Sequence, residues 1–253
     1  MIIILSPAKT LDMTPIEGFD VTQPALKSRA NQLIKVLKEK DVAGLKKLMS
    51  ISDKLAIENL SRFQSFKQRV SPKVGKPALF TFNGDVYRGL GAADFGKRDI
   101  AFAQDHLKIL SGLYGVLRPM DLMQPYRLEM GTKLKTDKGK NLYDFWGNEV
   151  TKQINKAFQP KRPRVLINLA SEEYAKVIKR DHLDAEELVL NFKEWKGDKL
   201  RFVSFTAKVA RGLMARYIIK NRIKDLEAIK GFDLDGYSFS AEYSDDKTWL
   251  FVR

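Results

Sequence analysis

The sequence predicts a mixed α/β (α+β) fold, in which one compact domain has a central mixed sheet flanked by helices. Short apolar runs rich in β-branched residues alternate along the chain with amphipathic segments of helical periodicity. The 253 residues, 44% of them apolar, are enough to build one sizeable buried core. No internal repeat, low-complexity tract or Ser/Gly linker divides the chain, so we predict a single domain over residues 1–253.

Seven short apolar runs predict the strands of the sheet. The first covers residues 2–5 and ends just before Pro7, since a proline restricts the residue that precedes it. The second covers residues 78–82 and ends at the turn that begins with Asn83. The other predicted strands are residues 165–170, 188–190, 201–205, 237–239 and 249–252.

Amphipathic spacing and capping residues predict the helices. Leucines three and four positions apart indicate two helices over residues 25–40 and 41–49. Ser52 is a suitable N-cap for a helix that ends near residue 66, and Asp99 for one that ends near residue 110. A further helix is predicted over residues 207–222.

Composition excludes several classes of protein. Cysteine is absent and histidine occurs twice, which excludes disulfides, thiol nucleophiles and Cys or His-rich metal sites, so we expect no metal and no cofactor. We find no secretory signal and no run of 18 apolar residues, and therefore expect a cytoplasmic protein without a membrane partner. A net charge of +14 favours a polyanionic partner, and nucleic acid is the commonest one inside cells.

Two segments are candidates for contacting DNA phosphates. We predict that the helix ending near residue 110 leads into a Gly-x-x-Gly turn, whose backbone N–H groups can hold a phosphate; a plain glycine cap is the alternative. The other candidate is the predicted helix over residues 207–222, where basic residues occur without acids; a solvated surface is the alternative. A second acid-free stretch over residues 150–171 adds Lys152, Lys156, Lys161, Arg162 and Arg164. The predicted DNA-binding residues are Ser111, Gly112, Tyr114, Gly115, Arg118, Lys208, Arg211, Arg216 and Arg222.

Polar residues follow or flank several of the apolar runs. Ligand sites in sheet proteins gather at strand ends, so we expect these side chains to converge in one polar cleft. Within it Lys9 should pair with a carboxylate, either Asp85 or Glu129, because an unpaired buried ammonium is costly. Scattered turns, helix caps and structural ion pairs are the alternative. The predicted cleft residues are Ser6, Lys9, Asn83, Asp85, Arg127, Glu129 and Ser171.

Several of these segments together resemble one family, the YaaA family of bacterial peroxide-stress proteins. The resemblance extends from residue 1 to about residue 239 and is carried by residues 4–12, 82–87, 110–119, 122–131, 168–171 and 210–214. It implies a cytoplasmic protein of the hydrogen-peroxide response that limits free iron and the oxidative damage it causes to DNA and protein. It also implies a family-specific fold with a basic cleft, a helix-hairpin-helix-like element and binding to double-stranded and branched DNA. We place that element at residues 111–115; no catalytic residue is implied.

Two hypotheses of function follow. In the first the protein binds and protects DNA without catalysis, as its charge suggests. In the alternative it is a nucleic-acid-modifying or base-excision-type enzyme, or one acting on a phosphorylated small molecule, with a polar cleft around Lys9 and Asp85. Direct sequestration of iron is disfavoured, because two histidines, no cysteine and no Glu-x-x-His pair leave few ligands.

Overall fold

A computed structural model describes residues 1–158 and 164–253 of the chain. Ten strands lie within the described ranges. They are β1 Ile2–Leu5, β2 Lys76–Pro77, β3 Leu107–Ser111, β4 Gly115–Leu117, β5 Leu122–Met123, β6 Val165–Asn168, β7 Glu186–Lys196, β8 Lys199–Arg201, β9 Ser238–Ser240 and β10 Thr248–Val252.

Ten α-helices occupy the same described part of the chain, and none of them is long and apolar enough to cross a membrane. They are α1 Lys27–Lys38, α2 Val42–Met49, α3 Asp53–Ser65, α4 Ala78–Thr81, α5 Asp85–Leu90, α6 Lys97–His106, α7 Leu142–Trp146, α8 Glu149–Ala157, α9 Glu172–Ala175 and α10 Ser204–Lys220. Short 3₁₀ helices cover Ala92–Asp94, Arg180–His182, Glu227–Gly231 and Leu234–Gly236.

The central sheet is mixed, as predicted, and β1 lies inside it. The strand order is β4-β3-β1-β6-β7-β10-β9, with β8 paired to β7. β1 is parallel to both of its neighbours, so that Ile3 lies opposite Leu107 of β3 and Ile167 of β6. Every residue of β1 is buried, which explains why its sequence is continuously apolar. β3 lies on one side of β1 and β6 on the other, so the carboxyl ends of β1 and β6 form a topological switch point.

One core joins the two ends of the chain. Ile4 of β1, Trp146 of α7 and Phe251 of β10 are fully buried and belong to the same apolar cluster. The mixed α/β unit is therefore continuous from β1 to β10.

Residues 78–81 form the one-turn helix α4 and Phe82 follows it as an isolated bridge to Leu11, so the strand predicted over residues 78–82 is wrong. The hydroxyl of Thr81 donates hydrogen bonds to the carbonyls of Lys76 and Pro77, and the N–H of Leu79 donates to Pro119 at 2.9 Å. A short buried apolar run suits either structure, and here these contacts select the helix.

The predicted helix over residues 99–110 is wrong at both ends. α6 begins at Lys97 and ends at His106. Asp99 is not the cap: it lies in the first turn, and its Oδ2 accepts the N–H of Gly96 at 3.1 Å. The residues from Leu107 onward pair with β1 and are buried on both faces as β3. Position in the sheet overrides the helical spacing of these leucines.

The predicted strand over residues 201–205 is also wrong, because β8 ends at Arg201 and α10 begins at Ser204. The remaining predicted strands are present as β1, β6, β7, β9 and β10. The first three predicted helices are present as α1, α2 and α3, and Ser52 caps α3 by accepting the N–H of Leu55 at 3.4 Å.

Candidate functional site

The carboxyl ends of β1 and β6 place two serines side by side. The N–H of Ser171 donates to Ser6 Oγ at 2.8 Å, and the two hydroxyl oxygens are 3.3 Å apart. The Tyr87 hydroxyl donates to the Ser6 carbonyl at 3.0 Å. These residues line a cleft of about 670 Å³. The structure brings together in this cleft all seven predicted polar residues, Ser6, Lys9, Asn83, Asp85, Arg127, Glu129 and Ser171.

A chain of charged groups crosses the cleft. Lys9 Nζ lies 2.9 Å from Glu129 Oε2, and Arg127 Nη2 donates to Glu129 Oε1 at 3.3 Å. Of the two partners predicted for Lys9, the structure therefore selects Glu129. Asp85 instead pairs with Arg88, one turn further along α5.

Residues 111–115 do not form a helix-hairpin-helix element, because they are the turn of the antiparallel pair β3 and β4. Ser111, Gly112, Tyr114 and Gly115 are buried. The Ser111 hydroxyl shares a 2.6 Å hydrogen bond with the hydroxyl of Tyr126. Buried groups with internal partners are not free to meet a phosphate, which corrects the placement predicted for this element.

Gly112 shows what that turn does instead. A Cβ at this position would lie 2.2 Å from the carbonyl oxygen of Leu128, so only glycine allows the two backbones to approach. Trp146 Nε1 donates to the Gly112 carbonyl at 3.0 Å. The turn therefore positions the neighbouring segment, whose Arg127 and Glu129 line the cleft. Arg118, the last residue predicted here, pairs with the buried Asp121.

The predicted basic face of the helix near the C-terminus is divided. Lys208 and Arg211 of α10 line the cleft. Arg216 hydrogen-bonds to Asp94 through Nη1 at 2.8 Å. Arg222 lies beyond the end of α10 with φ 50° and pairs with Asp99 at 3.0 Å. Of these four cations, the first two face the cleft. The other two are neutralised by acids distant in sequence.

The second acid-free stretch is partly neutralised too. Lys152 lies 3.4 Å from Glu149, and Arg164 lies 3.8 Å from Asp184. Lys161 and Arg162 of the same stretch lie outside the described residues.

Two glycines bring one wall of the cleft together. A Cβ on Gly212 of α10 would lie 1.9 Å from the carbonyl oxygen of Val86, and one on Gly89 of α5 would lie 2.2 Å from that of Val209. The two helices therefore touch backbone to backbone. Their crossing places Asp85 and Arg88 on one side and Lys208 and Arg211 on the other.

The electrostatics of the cleft favour an anion. Among the residues that line it, five cations face three carboxylates, a balance of +2: Lys9, Arg88, Arg127, Lys208 and Arg211 against Asp85, Glu129 and Glu173. The Nε atoms of Arg127 and Arg211 are buried without a hydrogen-bond partner, and burial lowers the pKa of Arg211. No group of three or more metal-binding side chains occurs within the described ranges. Unused guanidinium donors suit a phosphate or carboxylate.

Three tyrosines that line the cleft are not among the predicted site residues. Burial raises the pKa values of Tyr87, Tyr126 and Tyr174, so their hydroxyls stay neutral donors. Tyr126 adjoins Arg127 in sequence and follows the same polar pattern, which is the one signal that could have indicated it.

A second feature outside the predicted site is the pair formed by α2 and α3, whose helices were predicted but not as a binding element. Ser50 has the left-handed angles φ 52° and ψ 50°, which turns the chain sharply after α2. Ile51 is buried, and Ser52 begins the next helix as its cap. Lys47 and Lys54 are exposed on either side of this turn. The Ser-Ile-Ser sequence between two amphipathic helices was the available signal.

The fold and cleft define an α/β protein with an anion-attracting site at the switch point of its sheet. The profile described as peroxide stress protein YaaA matches residues 1–243. Over 254 aligned residues that include the whole chain, it is 49% identical to a UPF0246 protein of Janthinobacterium sp. (strain Marseille) and 50% identical to one of Caulobacter vibrioides (strain NA1000 / CB15N), covering 98% and 99% of them.

The chain therefore belongs to the peroxide stress protein YaaA family, as the sequence resemblance predicted. Membership supports a role in the peroxide stress response.

Proposed function

We propose that the protein binds double-stranded and branched DNA in the cytoplasm during the peroxide stress response. The observation that carries this proposal is the α2–α3 pair, two short helices joined by a left-handed turn between exposed lysines. Limiting free-iron-driven oxidative damage to DNA and protein is placed downstream of that binding.

The turn has the features that a phosphate contact needs. The N–H groups in the first turn of α3 have no acceptor within the helix, and the helix dipole adds partial positive charge there. Ser52 accepts one of them, from Leu55, and Asp53 of the same turn pairs with Lys46 at 3.0 Å. Lys47 and Lys54 supply full charges beside them. Such contacts are to the backbone of DNA, so duplexes of any sequence and branched junctions should bind alike.

Fluorescence anisotropy on a labelled random duplex and on a four-way junction, titrated with salt, tests the proposal. Each lost phosphate contact lowers the slope of log K against log salt by about 0.9, so K47Q/K54Q should lower it by about 2 and weaken binding. The matched control is K199Q/K247Q, which removes two other exposed lysines and should leave both quantities unchanged.

Unchanged affinity and slope in a folded K47Q/K54Q protein would overturn the assignment to this turn. A flat salt response of the original protein would reject phosphate binding altogether.

A second candidate function is catalysis on nucleic acid, and the convergence of seven polar residues in the cleft favours it. The Lys9 side chain is 61% exposed and can reach a substrate. On an abasic site its amine would add to the sugar aldehyde and lose water, giving an imine. Borohydride reduction should then trap a covalent complex that Lys9→Gln abolishes, while Lys199→Gln, which removes an exposed lysine outside the cleft, keeps it. If no covalent complex is trapped, this second candidate is rejected and DNA binding is the one remaining proposal.

A further inference from the structure

We propose that the cleft is a binding site for a single unpaired nucleotide, with its phosphate held by α10 and Arg127 and its base stacked on Phe205. The proposal goes beyond the duplex contact at α2 and α3, because it concerns another surface and another form of nucleic acid.

The anion end of the site is formed by three cations. Lys208 is exposed and has no ion-pair partner among the described residues. The Nε donors of Arg127 and Arg211 are buried and unpartnered. A buried donor without an acceptor is unfavourable, and a guanidinium matches the geometry of a phosphate in particular. These three side chains therefore have unmet capacity for one anionic group.

The aromatic end lies on the same helix. Phe205 is 56% exposed, although phenylalanine is normally buried. Its ring adjoins the cleft through Arg88, whose guanidinium lies 5.9 Å from the ring centroid. At 100° and 1.5 Å per residue, Phe205, Lys208 and Arg211 occupy a sector of about 120°, and the first and last are about 9 Å apart along the helix. An exposed ring beside cations is the arrangement on which unpaired bases stack.

Size and charge limit the ligand to one nucleotide. A volume of about 670 Å³ accepts a small ligand but not a duplex. The balance of +2 matches one phosphate group, whereas a polyphosphate would meet three carboxylates. Those carboxylates, with the hydroxyls of Ser6 and Ser171, offer partners for the sugar and the base edge.

The test uses two fluorescent probes with the full chain: a ten-nucleotide single strand containing one 2-aminopurine, and 2-aminopurine deoxyribonucleoside monophosphate. Stacking should quench at least one of them. Phe205→Leu should weaken that binding about ten-fold, the scale of one base–aromatic stack. Tyr243→Leu, which removes another exposed ring outside the cleft, should not change it. Lys208→Gln should weaken binding and reduce its salt dependence.

The pattern across the probes assigns the source of the nucleotide. Quenching of the strand alone places the nucleotide in single-stranded DNA, and quenching of the monophosphate identifies a free nucleotide as sufficient. No quenching of either probe overturns the proposal. If Phe205→Leu still quenches the probe as the original protein does, the assignment of the base to Phe205 is overturned. The same holds if inorganic phosphate displaces only a ligand whose base is not stacked. K47Q/K54Q should keep probe binding while losing duplex binding, so the two proposals fail separately.

Discussion

Substituting Gly212 by alanine should destabilise the protein, although alanine favours helices. The added Cβ would lie 1.9 Å from the carbonyl oxygen of Val86 and 2.7 Å from the N–H nitrogen of Leu90. Both are backbone atoms of α5, so no side-chain rotation relieves the contact. To reach an ordinary separation, α5 must move away from α10 by about 1.5 Å.

The magnitude follows from two opposing effects. Overpacking a buried contact costs about 1–3 kcal/mol, and a clash with backbone belongs at the upper end. Replacing glycine inside a helix by alanine stabilises the helix by about 1 kcal/mol. We therefore expect a net loss of about 2 kcal/mol in the free energy of unfolding. For a domain of this size that lowers Tm by about 4–8 °C.

Thermal and urea unfolding of Gly212→Ala would measure the loss. Gly96→Ala is the control, since its Cβ would meet only Asp99 Oδ2 at 3.8 Å, and it should lower Tm much less. A Tm for Gly212→Ala equal to or above that of the original protein would refute backbone contact between the two helices.

Three further predictions concern buried and paired groups. Burial lowers the pKa of Lys108 from 10.5 to about 8, so the unfolded chain binds its proton more tightly between these values. The stability of the original protein should rise relative to Lys108→Met by about 3 kcal/mol from pH 7 to 11; parallel pH profiles would contradict this. The hydrogen bond from Arg216 lowers the pKa of Asp94 from 3.8 to about 2. This hydrogen bond stabilises the protein above pH 3.8, and the stabilisation is lost as pH falls through 2. In acid unfolding the difference in unfolding free energy between the original protein and Asp94→Asn should therefore disappear there. A constant difference would contradict the pairing. Ser111→Ala leaves the buried Tyr126 hydroxyl without its partner and should lower the free energy of unfolding by about 1–3 kcal/mol, measured in urea. An unchanged urea midpoint would show that this hydrogen bond does not stabilise the fold.

Local signals in the sequence were sufficient for much of the fold. β1 is buried on both faces and its sequence is continuously apolar, and Ser52 caps α3 as its position before an amphipathic run indicated. The errors fell where tertiary contacts decide between structures. The leucines after His106 are spaced as on a helix, but pairing with β1 makes them a strand. Nothing local to that segment reveals its neighbour in the sheet.

The candidate site could be predicted only in part for the same reason. Lys9, Asn83 and Ser171 were indicated because polar residues at strand ends gather at one edge of a parallel sheet. Lys208 and Arg211 were predicted to contact DNA, but their place in the wall of the cleft was not, since it depends on two glycines that let α10 contact α5. Neutralisation of Arg216 and Arg222 depends on acids more than 120 positions away.

The position of β1 inside the sheet has a consequence for biosynthesis. Ile3 pairs with Ile167, so β1 must wait for about 160 further residues before its second edge is covered. At 5–20 residues per second this takes about 8 to 32 s, during which an apolar strand has an open edge that can pair with other chains. The cleft itself joins Ser6 to Ser171 and Arg211, so it cannot exist on a nascent chain that still lacks α10. This protein should therefore depend on chaperone protection early in its synthesis and complete its site only after α10 has left the ribosome.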